Sequence, residues 1–349
     1  MKRQIGIPTK WFTTGLATGI LSIWLFGMGA TGRELKTSSA TDPVSTSRIA
    51  NTEADQASDC CGGSFVATDQ FQPASDKPLK VICFGAHPDD CELRAAGMAA
   101  KWAAAGHRVK FVSLTNGDIG HWMMAGGPLA QRRLTEVRQC AKILGIETEV
   151  LDIHDGELLP TLETRKVITQ LIRQWDADMV ICHRPNDYHP DHRNVGLVVQ
   201  DAAYMVTVPY FCPDTPPLRR NPVFLYFEDR FQKPNPFSAD VVVSIDSVID
   251  QKLATVDALR SQFYEGGCCS GVTQLPKTDK EKELREKQVR TAFTRRFAST
   301  ADRFRKELVV WYGQEQASKT QFAEAFEVCE YGRRPSRQEL EKLFLIQTK

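Results

Sequence analysis

The sequence has almost no net charge: 44 Lys and Arg stand against 43 Asp and Glu in 349 residues. Proteins that grip nucleic acid through its phosphates concentrate basic side chains, so a balance of +1 excludes a general electrostatic grip of that kind. No G-x-G-x-x-G follows the first strand-like run, and the dinucleotide fingerprint is therefore missing from the place where it would stand. No Leu-x-x-Cys closes the apolar stretch near the N-terminus, which gives no indication of lipid attachment. Residues 31–77 hold few large apolar side chains and cannot bury a core, so they read as a flexible linker. Histidine is also scarce, at seven residues, which makes its distribution informative.

Four of those seven, His87, His183, His189 and His192, fall in or beside two short motifs about a hundred residues apart. The motifs are AHPDDCEL at residues 86–93 and DYHPDHR at residues 187–193. Each follows an apolar run that reads as a buried strand, LKVICFGA before the first and ADMVICH before the second. In an open α/β sheet, ligands bind in the crevice outside the carboxyl ends of the strands. A single His-Pro or Asp-Asp pair is more often a turn. Two such clusters, both after strand-like runs, point instead to one metal site.

A borderline-soft divalent ion takes imidazole nitrogen and carboxylate oxygen, and a catalytic site keeps a position for water. His87, Asp90 and His192 supply such a set. Zinc suits it, and so does iron(II), since two histidines and a carboxylate also serve non-heme iron oxygenases. The alternation of strands and helices described below disfavours the all-β fold expected of those oxygenases. Asp89, next to a ligand, is free to take a proton from water acidified by the ion. His189 is the candidate to face a developing oxyanion or to protonate a leaving amine, with Asp191 placed to orient it.

HPDDCE followed by HPDHR resembles the PIG-L/LmbE family of zinc-dependent N-acetylglucosaminyl deacetylases. The resemblance continues through TNGD at residues 115–118, an R-x-x-E helix from Arg133 to an LG ending at Gly145, and LRSQF at residues 259–263. It spans roughly residues 78–265. It implies His87, Asp90 and His192 as zinc ligands, Asp89 as general base, His189 as stabiliser of the tetrahedral intermediate and Asp191 as its partner. Glu92 is implied to be a hydrogen-bond acceptor behind the ligands. Arg133 and Asp118 are implied to meet substrate, although Arg133 equally suits an ion pair with Glu136 one turn on, and Asn-Gly-Asp is a good turn by itself. The implied reaction is removal of an acetyl group from an N-acetylated amino-sugar conjugate. A carbohydrate-binding protein without catalysis on the same fold is the alternative.

Apolar runs alternate with helical patterns from residue 78 onward. RVKFVSLT, TEVLDI, VFLYFE and ADVVVSI read as further strands. PLAQRRLTEVRQCAKILG reads as a helix opened by Pro128 and closed by Gly145. This alternation predicts an α/β, Rossmann-like fold with a mostly parallel sheet and helices on both faces. Four segments follow: residues 1–30 as signal peptide or signal anchor, 31–77 as linker, 78–270 as the deacetylase-like domain, and 271–349 as a charged helical extension with a packing or homo-oligomer role. Lys2, Arg3 and Lys10 before an apolar stretch at residues 11–30 predict export or membrane anchoring, with membrane contact through that segment. Export permits disulfides, and the vicinal pairs Cys60-Cys61 and Cys268-Cys269 are the candidates for joining linker to domain. The Pro- and aromatic-rich segment at residues 207–222 is expected either to wall the site or to form a rigid surface loop.

Overall fold

A computed structural model describes residues 77–267 and 276–346. The expected signal segment, nearly all of the linker and the four vicinal cysteines lie outside the described residues. Among the described residues no helix is long and apolar enough to cross a membrane.

In chain order the elements are β1 (Lys80–Gly85), α1 (Asp90–Ala104), β2 (Arg108–Thr115), α2 (Gly127–Leu144), β3 (Glu147–Ile153), α3 (Leu162–Trp175), β4 (Met179–Cys182), α4 (Pro190–Met205), β5 (Val223–Phe227), β6 (Val241–Ser244), α5 (Ile249–Ala258), α6 (Arg260–Phe263), α7 (Asp279–Arg303), α8 (Arg305–Lys319), β7 (Ala323–Gly332) and α9 (Arg337–Leu343). Seven strands form one sheet in the order β3-β2-β1-β4-β5-β7-β6. The first five pair in parallel, while β7 runs antiparallel to both β5 and β6. The expected α/β architecture with a mostly parallel sheet is present.

Short apolar runs become two-sided strands because successive side chains point to opposite faces. Val81 and Cys83 of β1 join Met179 and Ile181 of β4 in a core under α1 and the C-terminal residues Leu340 to Ile346. Ile82 and Phe84 join Val180 and Cys182 in the opposite core, under α3 and α4. Burial on both faces is what continuous Val/Ile-rich runs denote in parallel sheets.

The C-terminal region departs from expectation. Its helices α7, α8 and α9 are there, but residues 323–332 form β7, inserted between β5 and β6. AEAFEVCEYG places a glutamate at every third position, Glu324, Glu327 and Glu330, instead of the period-two pattern of a strand, and lies among charged helical segments. The sheet is therefore completed by sequence far downstream of the two motifs.

Residues 207–222 do not wall the site. The chain leaves the motif at the start of α4, and sixteen helical residues carry it about 24 Å at about 1.5 Å each, toward the amino-terminal ends of the parallel strands β4 and β5. There the Arg173 guanidinium donates to the carbonyls of Met205, Val206, Val208, Phe211, Cys212 and Thr215, tying the segment down as a rigid loop.

Candidate metal centre

β1 and β4 are neighbours in the sheet, and the chain turns to opposite sides after each, so the crevice at their carboxyl ends is the switch point of the fold. Both motifs open a helix there. Asp89 immediately precedes α1, and His189 immediately precedes α4, with Pro190 at its first turn, where a missing N–H is harmless. The two helix N-termini bring the motifs together. Gly85 makes the turn after β1 tight enough: a Cβ there would lie 2.8 Å from the Asp90 Cβ.

His87 Nδ1 lies 3.2 Å from His192 Nε2, and Asp90 lies 3.4 Å from each imidazole, through Oδ2 toward His87 and Oδ1 toward His192. Ligand atoms around a four-coordinate zinc at about 2.0–2.1 Å are separated by about 3.3 Å. Asp90 Oδ2 is already engaged, accepting from the backbone N–H groups of Ala86 (2.9 Å) and His87 (2.8 Å). That leaves Oδ1 toward a cation. His87 Nε2 faces Asp155 Oδ1 at 3.1 Å and Asp191 Oδ2 at 3.3 Å, the carboxylate support that fixes ring orientation and raises basicity in metal-binding histidines. His192 Nδ1 lies 3.1 Å from Asp187 Oδ1. Three overlapping groups of potential ligands meet at this point: His87/His189/His192, Asp90/His183/His192 and His87/Asp155/Asp191. The donor set and its carboxylate supports fit a divalent ion.

Asp89 is buried, yet its carboxylate makes no hydrogen bond among the described residues. Burial and the neighbouring Asp90 raise its pKa, against the pull of Arg133, His87 and His192. His189 Nδ1 accepts the backbone N–H of Asp191 at 3.2 Å, so in the neutral ring the proton sits on Nε2. Burial, followed by repulsion from His87 and His192, lowers the His189 pKa and keeps the ring neutral near pH 7. Burial works against a charge on His87, but Asp155, Asp191 and Asp90 outweigh it and its pKa is raised.

Several sequence expectations are corrected here. Asp191, fully buried, does not orient His189 through its carboxylate. That group reaches His87 and accepts the Gly156 N–H at 2.7 Å, while only its backbone N–H meets His189. Glu92 hydrogen-bonds none of the metal-site residues, and burial pushes its pKa up to about 8. Asp118 is occupied internally: Oδ2 meets His154 Nδ1 at 2.6 Å and Oδ1 accepts the Asp155 N–H at 3.1 Å, which holds the loop that delivers Asp155 to His87. Arg133 is 2% exposed and forms no ion pair with Glu136 among the described residues. It donates to the Gly120 carbonyl at 2.7 Å and to Gln262 Oε1. Glu136 instead accepts from the Ser261 N–H (2.9 Å) and hydroxyl (2.6 Å), with Arg132 Nε 3.3 Å away. The R-x-x-E and SQ segments are thus two halves of one buried lock between α2 and α6.

Asp155, Asp187 and His183 were missed as contributors. His183 Nε2 lies 3.1 Å from Asp90 Oδ2 and its ring stacks on His192 at 4.1 Å. Burial pushes its pKa down to about 4, so it is neutral. The signal was positional: His183 directly follows β4 and Asp155 comes two residues after β3, both at strand carboxyl ends.

Fold and donor set define a class, the open α/β protein with a candidate divalent-metal site at the switch point of its sheet. Comparison with known proteins narrows it: the chain belongs to the PIG-L family. The family described as PIG-L, GlcNAc-PI de-N-acetylase, matches residues 82–203. Diacetylchitobiose deacetylase from Thermococcus kodakarensis is 34% identical over 197 residues, covering 53% of this chain and 71% of that protein. Two solved structures share the fold. N,N'-diacetylchitobiose deacetylase from Pyrococcus horikoshii superposes with a TM-score of 0.53 at 23% identity, covering 71% of this chain and 83% of that one. The 4-carboxy-2-hydroxymuconate hydratase from Pseudomonas putida gives 0.57 at 20%, covering 74% and 99%. A hydratase on this fold shows that the site, not the architecture, has to carry the argument about chemistry.

Proposed function

We propose that this chain is a metal-dependent N-deacetylase that hydrolyses the acetamido group of an N-acetylglucosamine-type sugar conjugate. The observation that carries the reading is the convergence of His87, Asp90 and His192 beside an unbonded carboxylate, Asp89, and an imidazole, His189, whose proton is held on Nε2. Family membership and the 34% identity to a diacetylchitobiose deacetylase support the choice of an acetylated amino sugar. Zinc is the ion we assign, held by those three ligands, and iron(II) suits the same set.

A divalent ion there supplies Lewis acidity toward the amide carbonyl and toward water. Asp89 accepts the proton of the attacking water, because its carboxylate is raised in pKa and has no competing donor. His189 donates a hydrogen bond from Nε2–H to the oxygen on which negative charge develops and keeps its proton, while the proton that Asp89 took from water passes to the departing amine. Asp155 and Asp191 hold the His87 ring through Nε2 so that Nδ1 stays on the metal side. A protein that only bound sugar would need neither Asp89 nor His189 in these positions. We also propose that residues 1–30 direct export, on the strength of the basic residues before the apolar run at residues 11–30.

The test is acetate release by the zinc-loaded protein from N,N'-diacetylchitobiose and a panel of other N-acetylglucosamine conjugates, beside protein treated with chelator. Release that disappears with the metal and returns on its addition is expected. Stoichiometric metal and tight sugar binding without acetate would overturn the catalytic reading in favour of the binding protein.

A further inference from the structure

A cavity of about 480 Å³ adjoins the metal centre and is lined by Arg94, Arg230, Arg295 and Arg296 together with Tyr188 and Phe231. Tyr188 is the shared wall. Its ring meets those of His189 and His192 edge-on at 5.7 and 5.6 Å, and that of Phe231 at 6.1 Å. Arg94 stands one helical turn after Asp90 on α1, while Arg295 and Arg296 come from α7, outside the residues that the family match covers.

None of the four guanidinium groups forms an ion pair among the described residues. Arg94 donates to the Glu228 carbonyl at 2.6 Å, and Arg230 to the Ser299 hydroxyl at 2.6 Å. Arg295 makes no hydrogen bond there, and Arg296 only overlies the Phe293 ring at 5.7 Å. The carboxylates that line the cavity are engaged elsewhere. Glu228 meets Arg303 at 3.1 Å and the Thr300 hydroxyl at 2.8 Å, and Glu324 meets Lys252 at 2.5 Å. The cavity therefore gathers four guanidinium groups with no direct carboxylate partner among the described residues. Desolvation, followed by repulsion from Arg94 and Arg230, lowers the Arg296 pKa, while Asp89 and Glu228 pull the other way, which places Arg296 within electrostatic reach of the proposed base.

Like charges gathered in a concave site repel one another, and a bound anion relieves that repulsion. Guanidinium forks match the oxygens of phosphate and carboxylate groups. We propose that this cavity is a subsite for an anionic substituent of the substrate, a phosphate or carboxylate carried by the amino sugar whose acetamido group sits at the metal. The inference rests on the deacetylase reading for its substrate frame. Tyr188 touches both His189 and His192 and also lines the cavity, so it lies between the charged group and the reacting amide in this proposal.

The test compares zinc-loaded full-length protein with Arg296→Gln and Arg295→Gln on three probes: methyl N-acetylglucosaminide, N-acetylglucosamine 6-phosphate and N-acetylmuramic acid. The expected result is a kcat/KM at least tenfold higher for an anionic probe than for the neutral one, with the phosphate and carboxylate arms telling which group is preferred. That ratio should fall about tenfold in either variant, mainly through KM, and should also fall as salt is raised. Equal kcat/KM for charged and neutral probes, or variants that slow all probes alike, overturns the subsite. Calorimetric binding of glucosamine 6-phosphate against glucosamine separates this from the reaction itself. Arginine-dependent preference for the phosphate without acetate release from any probe sinks the deacetylase reading and leaves the anion site standing. No preference in either assay sinks the anion site.

Discussion

Asp89 and Asp90 are neighbours with opposite assignments, and their surroundings explain why. Asp90 is tied by two backbone N–H groups and faces three imidazoles, whereas Asp89 has no hydrogen-bond donor among the described residues. Asp89→Asn should therefore keep its metal while losing about 10²- to 10⁴-fold in kcat, the usual range for a lost general base. Metal analysis beside acetate-release kinetics checks both halves, and unchanged kcat with metal bound would remove Asp89 from the mechanism. Asp191 touches His87 rather than His189, so Asp191→Asn should act on the metal first. About a 10- to 100-fold weaker affinity, read by competition with a chelating dye, is expected. An effect confined to kcat at saturating metal would return Asp191 to the role of His189's partner.

At the scale of elements, α1 matters because it opens with Asp90 and is anchored from a distance. Glu324 of β7 accepts the N–H groups of Gly97 and Met98, both at 2.8 Å, and pairs with Lys252 of α5 at 2.5 Å. Both charged groups are almost fully buried, and desolvation lowers the Lys252 pKa. Lys252→Met leaves the Glu324 charge unpaired inside the protein, a change that typically destabilises by about 3–5 kcal/mol. Urea unfolding should show the midpoint falling. Replacing both partners together, Lys252→Met with Glu324→Gln, should recover part of the loss, and a double variant no better than the single would show that the pair is not what anchors α1. The lock formed by Arg133 with Gln262 and Glu136 with Ser261 works similarly for α2, behind Asp89.

For the whole molecule, the decisive feature is that the sheet closes with a strand from the C-terminal region. Removing residues 320–349 exposes the edges of β5 and β6, both paired with β7, and strips Phe326, Leu340, Leu343 and Phe344 from the core under α1. Unpaired strand edges and bared apolar surface favour aggregation. The truncated chain should be insoluble or lose its cooperative thermal transition, and a monomeric, folded product by light scattering and circular dichroism would contradict this. The sequence by itself determined the parallel half of the sheet, because continuous Val/Ile runs between helical periods admit few other arrangements. It also determined the cluster His87, Asp89, Asp90, His189 and His192, because these lie in two compact motifs directly after strands. Tertiary structure alone decided which carboxylate supports which ring, where Asp118 and Arg133 turn, that β7 sits inside the sheet, and that arginines of α1 and α7 share one cavity with Arg230. Those facts depend on groups tens to hundreds of residues apart, whose pairing is chosen by packing and burial rather than by any local pattern along the chain.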